Sequence, residues 1–411
     1  MLYKFFTLIF ILLLSLTNFA KTGYYRLISK HDPAHSYTIA WIQLSGKNVI
    51  LKYDTQENFK INGKLNKTSK KIKFIKYKGL LNAFCELNNL KENTKYVFQI
   101  IDSDSKSEIM WFKTLPQGSN ARLSIIAGGD SRSRPEIRRM ANKMVAKLQP
   151  DLVIFDGDFT YSSTKEQWLQ WFDDWQLTIA NSRLIPIIVV PGNHEKKQDV
   201  NKFFNLLEYP HGYYSFNISG KFIHFISLNT QYKIPGKQTN WLENDLKHNQ
   251  DATWILIAYH KPISPHFSGK AEGTMQYSYW APLFYKYRIP LVLEGDTHTH
   301  KITYPIKPNA NGEQGFSIDP KNGTVYIGEG CWGAPLRLAN DLKSWTLDAA
   351  SIDQFKWLWI DSTQIQIRTV LYKSVDSTQT LDFDNRFTIP KGIKIRKIND
   401  NQTVFTITKN K

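Results

Sequence analysis

The chain has 411 residues, of which 42% are hydrophobic and 14% aromatic, with 12 tryptophans. That content excludes a disordered polypeptide and suffices for two domains, or three small ones, around well-buried cores. The formal net charge is +17, which can attract anionic partners, yet the lysines are scattered and cluster only briefly, as in Lys70-Lys71-Ile72-Lys73. A solvated basic surface is therefore favoured over a dedicated nucleic-acid groove.

In chain order, Lys4, the apolar run over residues 5–14 and the ending Asn18-Phe19-Ala20 have the charge, length and small final residue of a secretory leader over residues 1–20. The run falls short of the ~20 residues that span a bilayer. No later stretch is apolar enough to cross, so export to the periplasm or the exterior without stable membrane insertion is expected. Residues 21–116 read as an all-β module, with strand signals at 38–42 and 96–100 between turn residues. Leu90-Lys91-Glu92-Asn93-Thr94-Lys95-Tyr96, followed by Phe112-Lys113-Thr114-Leu115-Pro116, resembles the last strands of a fibronectin type III sandwich. In that fold Tyr96 would form the tyrosine corner and Trp41 would fill the core. Residues 116–120 form a linker. Cys85 and Cys331 lie in different predicted domains and read as buried free thiols.

Beyond residue 120, apolar runs of strand length alternate with helical patterns, the syntax of a layered α/β fold. Ile137, Met140, Ala141, Met144, Val145 and Leu148 mark one helix, with Ser133 placed to cap it and Pro135 in its first turn. Trp168, Phe172 and Trp175 mark a second over 165–180, and a third is expected over 239–247. Strand-like segments such as 364–370 return after Asp353.

The residues that end the apolar runs are the most informative feature. Residues 123–127 lead into Gly128-Gly129-Asp130, and 152–155 into Asp156-Gly157-Asp158. Residues 185–190 lead into Pro191-Gly192-Asn193-His194-Glu195, 255–259 into His260, and 291–293 into Glu294-Gly295-Asp296-Thr297-His298. Ligand sites in α/β folds lie at the carboxyl ends of strands. Carboxylate, amide and imidazole donors gathered there suit borderline transition metals, and clustered carboxylates need a cation to offset their repulsion.

Asp130-Ser131-Arg132, Gly157-Asp158-Phe159-Thr160-Tyr161, Gly192-Asn193-His194-Glu195, Ile257-Ala258-Tyr259-His260 and Gly295-Asp296-Thr297-His298, in this order, resemble the motifs of the calcineurin-like metallophosphoesterases, and among them the purple acid phosphatases. The resemblance implies an αββα two-sheet sandwich over residues 121–375, a strand-rich extension over 376–411 packing on it, and a purple acid phosphatase N-terminal β-sandwich over 21–116. It also implies two metal ions, Fe(III) with Fe(II), Zn or Mn. Asp130, Asp158, Tyr161 and His298 would hold one ion. Asp158 would be shared with a second, held by Asn193, His260 and Asp296. Two positions depart from the family. Asp296 stands where the first His of Gly-His-x-His is expected, which leaves open a register using His298 and His300. Arg132 replaces Gly, and would either fork onto phosphate oxygens or pair with a neighbouring acid.

The implied reaction is hydrolysis of a phosphate monoester by a metal-bound hydroxide, on a small phosphorylated substrate. His194 would act as general acid, Glu195 would tune it, and His266 would be a second phosphate contact or a surface histidine. A phosphodiesterase or nuclease using the same site, with nucleic acid only as substrate, is the alternative within the enzyme class. A binding or adhesion protein with a degenerate site is the alternative outside it.

Overall fold

The computed structural model describes residues 22–196, 198–398 and 402–409; the predicted leader lies outside them. Strand Leu123–Gly128, buried at every position, pairs in parallel with Leu152–Phe155, which pairs in parallel with Pro186–Val189. Runs without polar alternation belong in a sheet covered on both faces. A second, seven-stranded sheet has Ile223–Ser227, Trp254–Ala258, Leu291–Glu294 and Val325–Gly328 as parallel neighbours. The inner faces of the two sheets share one core, in which Ala127 and Ile154 join Phe225, Leu256 and Leu293.

Helices Pro135–Leu148 and Lys165–Gln176 contribute to that same core, Trp168, Trp171, Phe172 and Trp175 being buried in it. Helix Thr239–His248 covers the second sheet, seating Leu242 and Leu246 with Ile226, Ile257 and Val292. The result is the expected αββα order. Thr164 caps the second helix by accepting from the Gln167 amide. Ser133 does not cap the first. The residue before Pro135 is Arg134, with no side-chain cap, and Ser133 has φ 79°.

The N-terminal module contains a four-stranded sheet of Lys67–Ser69, Ile50–Thr55, Lys95–Ile101 and Met110–Lys113. Trp41 is fully buried in its core, and the Tyr96 hydroxyl accepts from the Lys91 amide at 2.8 Å, the back-bond of a tyrosine corner. Its other strands are not a separate sheet. Thr22–Ile28 pairs in parallel with Pro186–Val189, so one ten-stranded sheet runs through both modules. At its far edge, Gln354–Ile360 and Gln364–Leu371 form a hairpin against Leu123–Gly128. Within the extension over 376–411 the described residues form one strand, Phe405–Thr408, which pairs with Gln364–Leu371. Turn-forming Asp, Asn, Pro and Gly residues fill the segment before it and break up further strands. Cys85 and Cys331 are both buried and free. Among the described residues no helix is long and apolar enough to cross a membrane.

Candidate metal centre

The carboxyl ends of both sheets meet at one edge, and the backbone there is unusual. Asp130, Asp158, Asp296 and His298 have φ of 56°, 55°, 66° and 59°. A left-handed conformation costs a non-glycine residue about 1–3 kcal/mol and persists only where the surroundings over-determine it. The loops supply that by bonding to one another. The Asp130 amide donates to Gly157 O at 2.9 Å, Ser131 N to Asp158 O at 3.0 Å, Gly295 N to His260 O at 2.8 Å and His298 N to Glu329 O at 2.8 Å. Gly157 and Gly192 are required by close approach, since a Cβ on Gly157 would lie 2.7 Å from Gly192 Cα and one on Gly192 2.3 Å from the Asp158 amide.

Two donor clusters result. One is Asp130, Asp158 and His298; the other is Asp158, His260 and Asp296; all are buried. The tautomers are decidable. His298 Nδ1 lies 2.9 Å from the Pro335 carbonyl and His260 Nδ1 2.8 Å from the Asp156 carbonyl, so each Nδ1 carries a hydrogen. In the neutral ring, each Nε2 then points a lone pair into the centre. His298 Nε2 lies 3.2 Å from Asp130 Oδ1, which has no hydrogen-bond partner. His260 Nε2 lies 3.2 Å from Asp158 Oδ1, 3.1 Å from Asn193 Oδ1 and 3.8 Å from Asp296 Oδ1. Acceptor atoms gathered at these distances call for positive charge among them, whether a cation or a proton on His260. The electrostatics agree. Burial opposes a charge on His260, but Asp158 and Asp130 outweigh it and push its pKa well up. Burial likewise opposes charge on Asp158, yet His260 and His194 hold its carboxyl below the usual range. The donor set fits two cations, and Asn193 completes the second cluster.

His194 donates its amide to Asp158 Oδ1 at 2.9 Å and its Nδ1–H to the Tyr161 carbonyl at 2.6 Å, which leaves Nε2 3.7 Å from Asp158 Oδ2. Glu195 does not touch His194 in the way expected. Its carboxyl accepts from the amides of Phe159 (2.7 Å), Gly192 (2.8 Å) and Asp158 (3.1 Å), tying two ligand loops together. Burial and the charge of Asp158 push its pKa up to about 8. Arg132 pairs with an acid rather than leaving its fork open, with Nε 3.3 Å from Asp158 Oδ2 and Nη2 3.3 Å from His298 Nε2.

Three expectations are revised. Tyr161 is 55% exposed, and its ring lies 5.4 Å from the His194 ring and 5.4 Å from the Arg132 guanidinium carbon, so it packs on these two side chains at the rim instead of sharing the ligands' burial. His266 is neither a phosphate contact nor a surface histidine. It is fully buried, with Nε2 2.7 Å from Thr346 Oγ1 and Nδ1 3.8 Å from Glu329, and burial lowers its pKa. His300 bonds to Asp348 at 2.9 Å and to Lys356, which leaves Asp296 with His298 in the centre.

Two residues were missed. Lys270 reaches Asp296 Oδ2 at 2.6 Å; the sequence signal was the extra carboxylate at 296, which needs a counter-charge. Asp156 is buried with Oδ1 unpartnered, and burial beside Asp130 raises its pKa well up. The Asp-Gly-Asp pair was its signal.

Two face-to-face sheets carry acid, amide and imidazole donors at their carboxyl ends, and the family model for Calcineurin-like phosphoesterase matches residues 124–300 of this chain. A second, Purple acid Phosphatase, N-terminal domain, matches residues 25–114. The chain thus carries a calcineurin-like phosphoesterase domain preceded by a purple acid phosphatase N-terminal domain, and it is similar to the purple acid phosphatases. It is 27% identical to the protein named "Probable purple acid phosphatase 20" of Arabidopsis thaliana, over 64% of this chain and 65% of that protein. It is 23% identical to "Fe(3+)-Zn(2+) purple acid phosphatase 12" of the same plant, over 70% and 66%. It thus spans about two thirds of the length of these relatives. The structure of purple acid phosphatase PPD1 from yellow lupin (Lupinus luteus) seeds superposes with a TM-score of 0.70 at 16% identity, over 88% of this chain and 73% of that one, and so shares the fold.

Proposed function

We propose that the protein is an exported phosphoesterase that hydrolyses phosphate monoesters with two metal ions, one held by Asp130, Asp158 and His298 and the other by Asp158, Asn193, His260 and Asp296. The observation that carries this reading is the pair of clusters sharing Asp158, each with an imidazole whose Nε2 faces carboxylate oxygens. Two cations there, Fe(III) with Fe(II), Zn or Mn, would supply charge for the phosphate oxygens and lower the pKa of the attacking water. The Fe(3+)-Zn(2+) purple acid phosphatase among its relatives supports a mixed pair, while the anionic oxygen of Asp296 shifts the second position toward Mn or Fe.

The chain's own groups supply the rest. His194, anchored through Nδ1 and its amide, presents Nε2 at the mouth of the centre and is placed to protonate the leaving oxygen. Glu195 fixes the loops that carry Asp158 and Asn193. A groove of about 590 Å³ opens at Asp296, lined by Lys233, Lys261 and Lys270 with Tyr232 and Met275, and suits the leaving group of an anionic ester. Export rests on the leader at residues 1–20, and sequencing of the secreted protein should begin close after Ala20.

The test is elemental analysis together with hydrolysis of p-nitrophenyl phosphate and its bis ester. Two metals per chain and faster hydrolysis of the monoester are expected; faster hydrolysis of the diester would make the protein a phosphodiesterase. Asp158→Asn should lose both metals and about 10²–10³-fold or more in rate. Normal turnover in that variant would overturn the assignment.

A further inference from the structure

The two clusters are alike in donors but not in the charges that the protein places against them. At the second, Lys270 is the cation that meets Asp296, a donor the first cluster does not share. It touches one oxygen of Asp296, leaving His260 Nε2, Asp158 Oδ1 and Asn193 Oδ1 facing each other. At the first, Arg132 contacts two of the three donors directly. Its Nε–H points at Asp158 Oδ2 and an Nη2–H at the bare Nε2 of His298, both at 3.3 Å. Asp130 Oδ1 is left without a hydrogen-bond partner.

We propose, building on the two-metal reading above, that Arg132 is a displaceable guanidinium occupying the first cation position, so that metal loads there only when the side chain withdraws. An ion bound at ~2.0–2.2 Å from Asp158 and His298 would compete with the guanidinium nitrogens 3.3 Å from Asp158 Oδ2 and His298 Nε2 for the same lone pairs. Two positive charges on one donor set also repel in a centre from which water is largely excluded, for Arg132 is only 8% exposed. The guanidinium does for these donors what an ion does: it supplies charge to Asp158 and hydrogens to the His298 lone pair. It also has somewhere to go. A cavity of about 140 Å³ adjoins it between Ser133, Pro135, Tyr161 and Gln167. The other arginine lining that cavity, Arg138, is already paired with Asp174 and creates no competing demand. A glycine at this position would leave the donors open; the arginine makes the first ion the weaker-bound of the two.

The test is equilibrium dialysis of the full chain against Mn²⁺, counting bound metal in the native protein, Arg132→Gly, Arg132→Met and Lys143→Met. Lys143 is exposed on the helix just after Arg132, and its replacement removes the same unit of charge. The native protein should bind one ion tightly and a second weakly. Both Arg132 variants should tighten the weak position by about tenfold or more, and Lys143→Met should leave it unchanged. If Arg132→Gly fails to fold by circular dichroism, Arg132→Met gives the same reading. Unchanged affinity in the folded Arg132 variants, or equal tightening by Lys143→Met, overturns the proposal while leaving two-metal binding intact. If no variant binds metal, it is the two-metal reading that fails.

Discussion

At His194 the backbone and the ring are both committed: the amide to Asp158 Oδ1, and Nδ1 to the Tyr161 carbonyl. Only Nε2 is left for chemistry, and the residue holds no donor position in either cluster. His194→Ala should therefore keep its metal by elemental analysis and lose about 10²–10⁴-fold in kcat. Loss of metal with loss of rate would make His194 a structural support instead. The sequence singles out His194 because it comes directly after Asn193 in an intact motif, and the structure places it beside Asp158. His266 was misread, because six residues beyond His260 the chain has already turned into the interior, where Thr346 and Glu329 take up the ring. Sequence spacing places a residue along the chain; it does not say into which face of the sheet its loop folds.

The element beneath the centre is strand His300–Thr303, whose charged side chains turn inward instead of toward solvent. Lys301 joins Glu294 at 2.6 Å and Glu329 at 2.5 Å, all three buried, and thereby braces the loops that precede Asp296 and support His298. His300 is held neutral by burial and by Lys356, which together push its pKa down to about 3 although Asp348 pulls the other way. As pH falls below the ordinary histidine value of about 6.5 the unfolded chain takes up a proton that the folded chain refuses, so stability is lost from about pH 6.5 down to about 3. The slope is at most about 1.4 kcal/mol per pH unit. His300→Gln should flatten this part of the acid limb in urea titrations across that range. An unchanged limb would show that His300 already carries a proton in the folded protein. Neither the strand nor its inward charges was read from the sequence, since partners 28 or 48 residues away in Glu329 and Asp348 have no local signature.

At the scale of the molecule, the two modules are built around one sheet. Arg26, on the strand that joins them, is fully buried; it donates to the Tyr24 carbonyl at 2.7 Å and to Asn82 Oδ1 at 3.2 Å, and lies 4.3 Å over the Phe172 ring of the tryptophan-rich helix. Arg26→Ala would leave these acceptors unpaired and open a cavity, at a cost of about 2–4 kcal/mol. Because the sheet is shared, that loss should appear in one transition, with far- and near-ultraviolet circular dichroism coinciding. Two separate transitions would show that the modules unfold independently despite the shared ladder.

The sequence alone determined the order of the strands that end in acid, amide and imidazole residues and the layered α/β syntax; the family resemblance added the αββα arrangement and the donor positions Asp130, Asp158, Asn193, His260 and His298, with Asp296 or His300 beside them. The strand order is a local fact, since an apolar run must be buried and the residues after it must emerge at the sheet's edge. Only the tertiary structure decided that Tyr161 stays at the rim, that Arg132 lies on the donors themselves, that Lys270 answers Asp296, and that the first strand of the N-terminal module joins the sheet that carries Asp130 and Asp158. Each of these depends on charges or backbone edges far apart in sequence that meet only when loops close, and pairing at a distance leaves no periodicity in the chain to read.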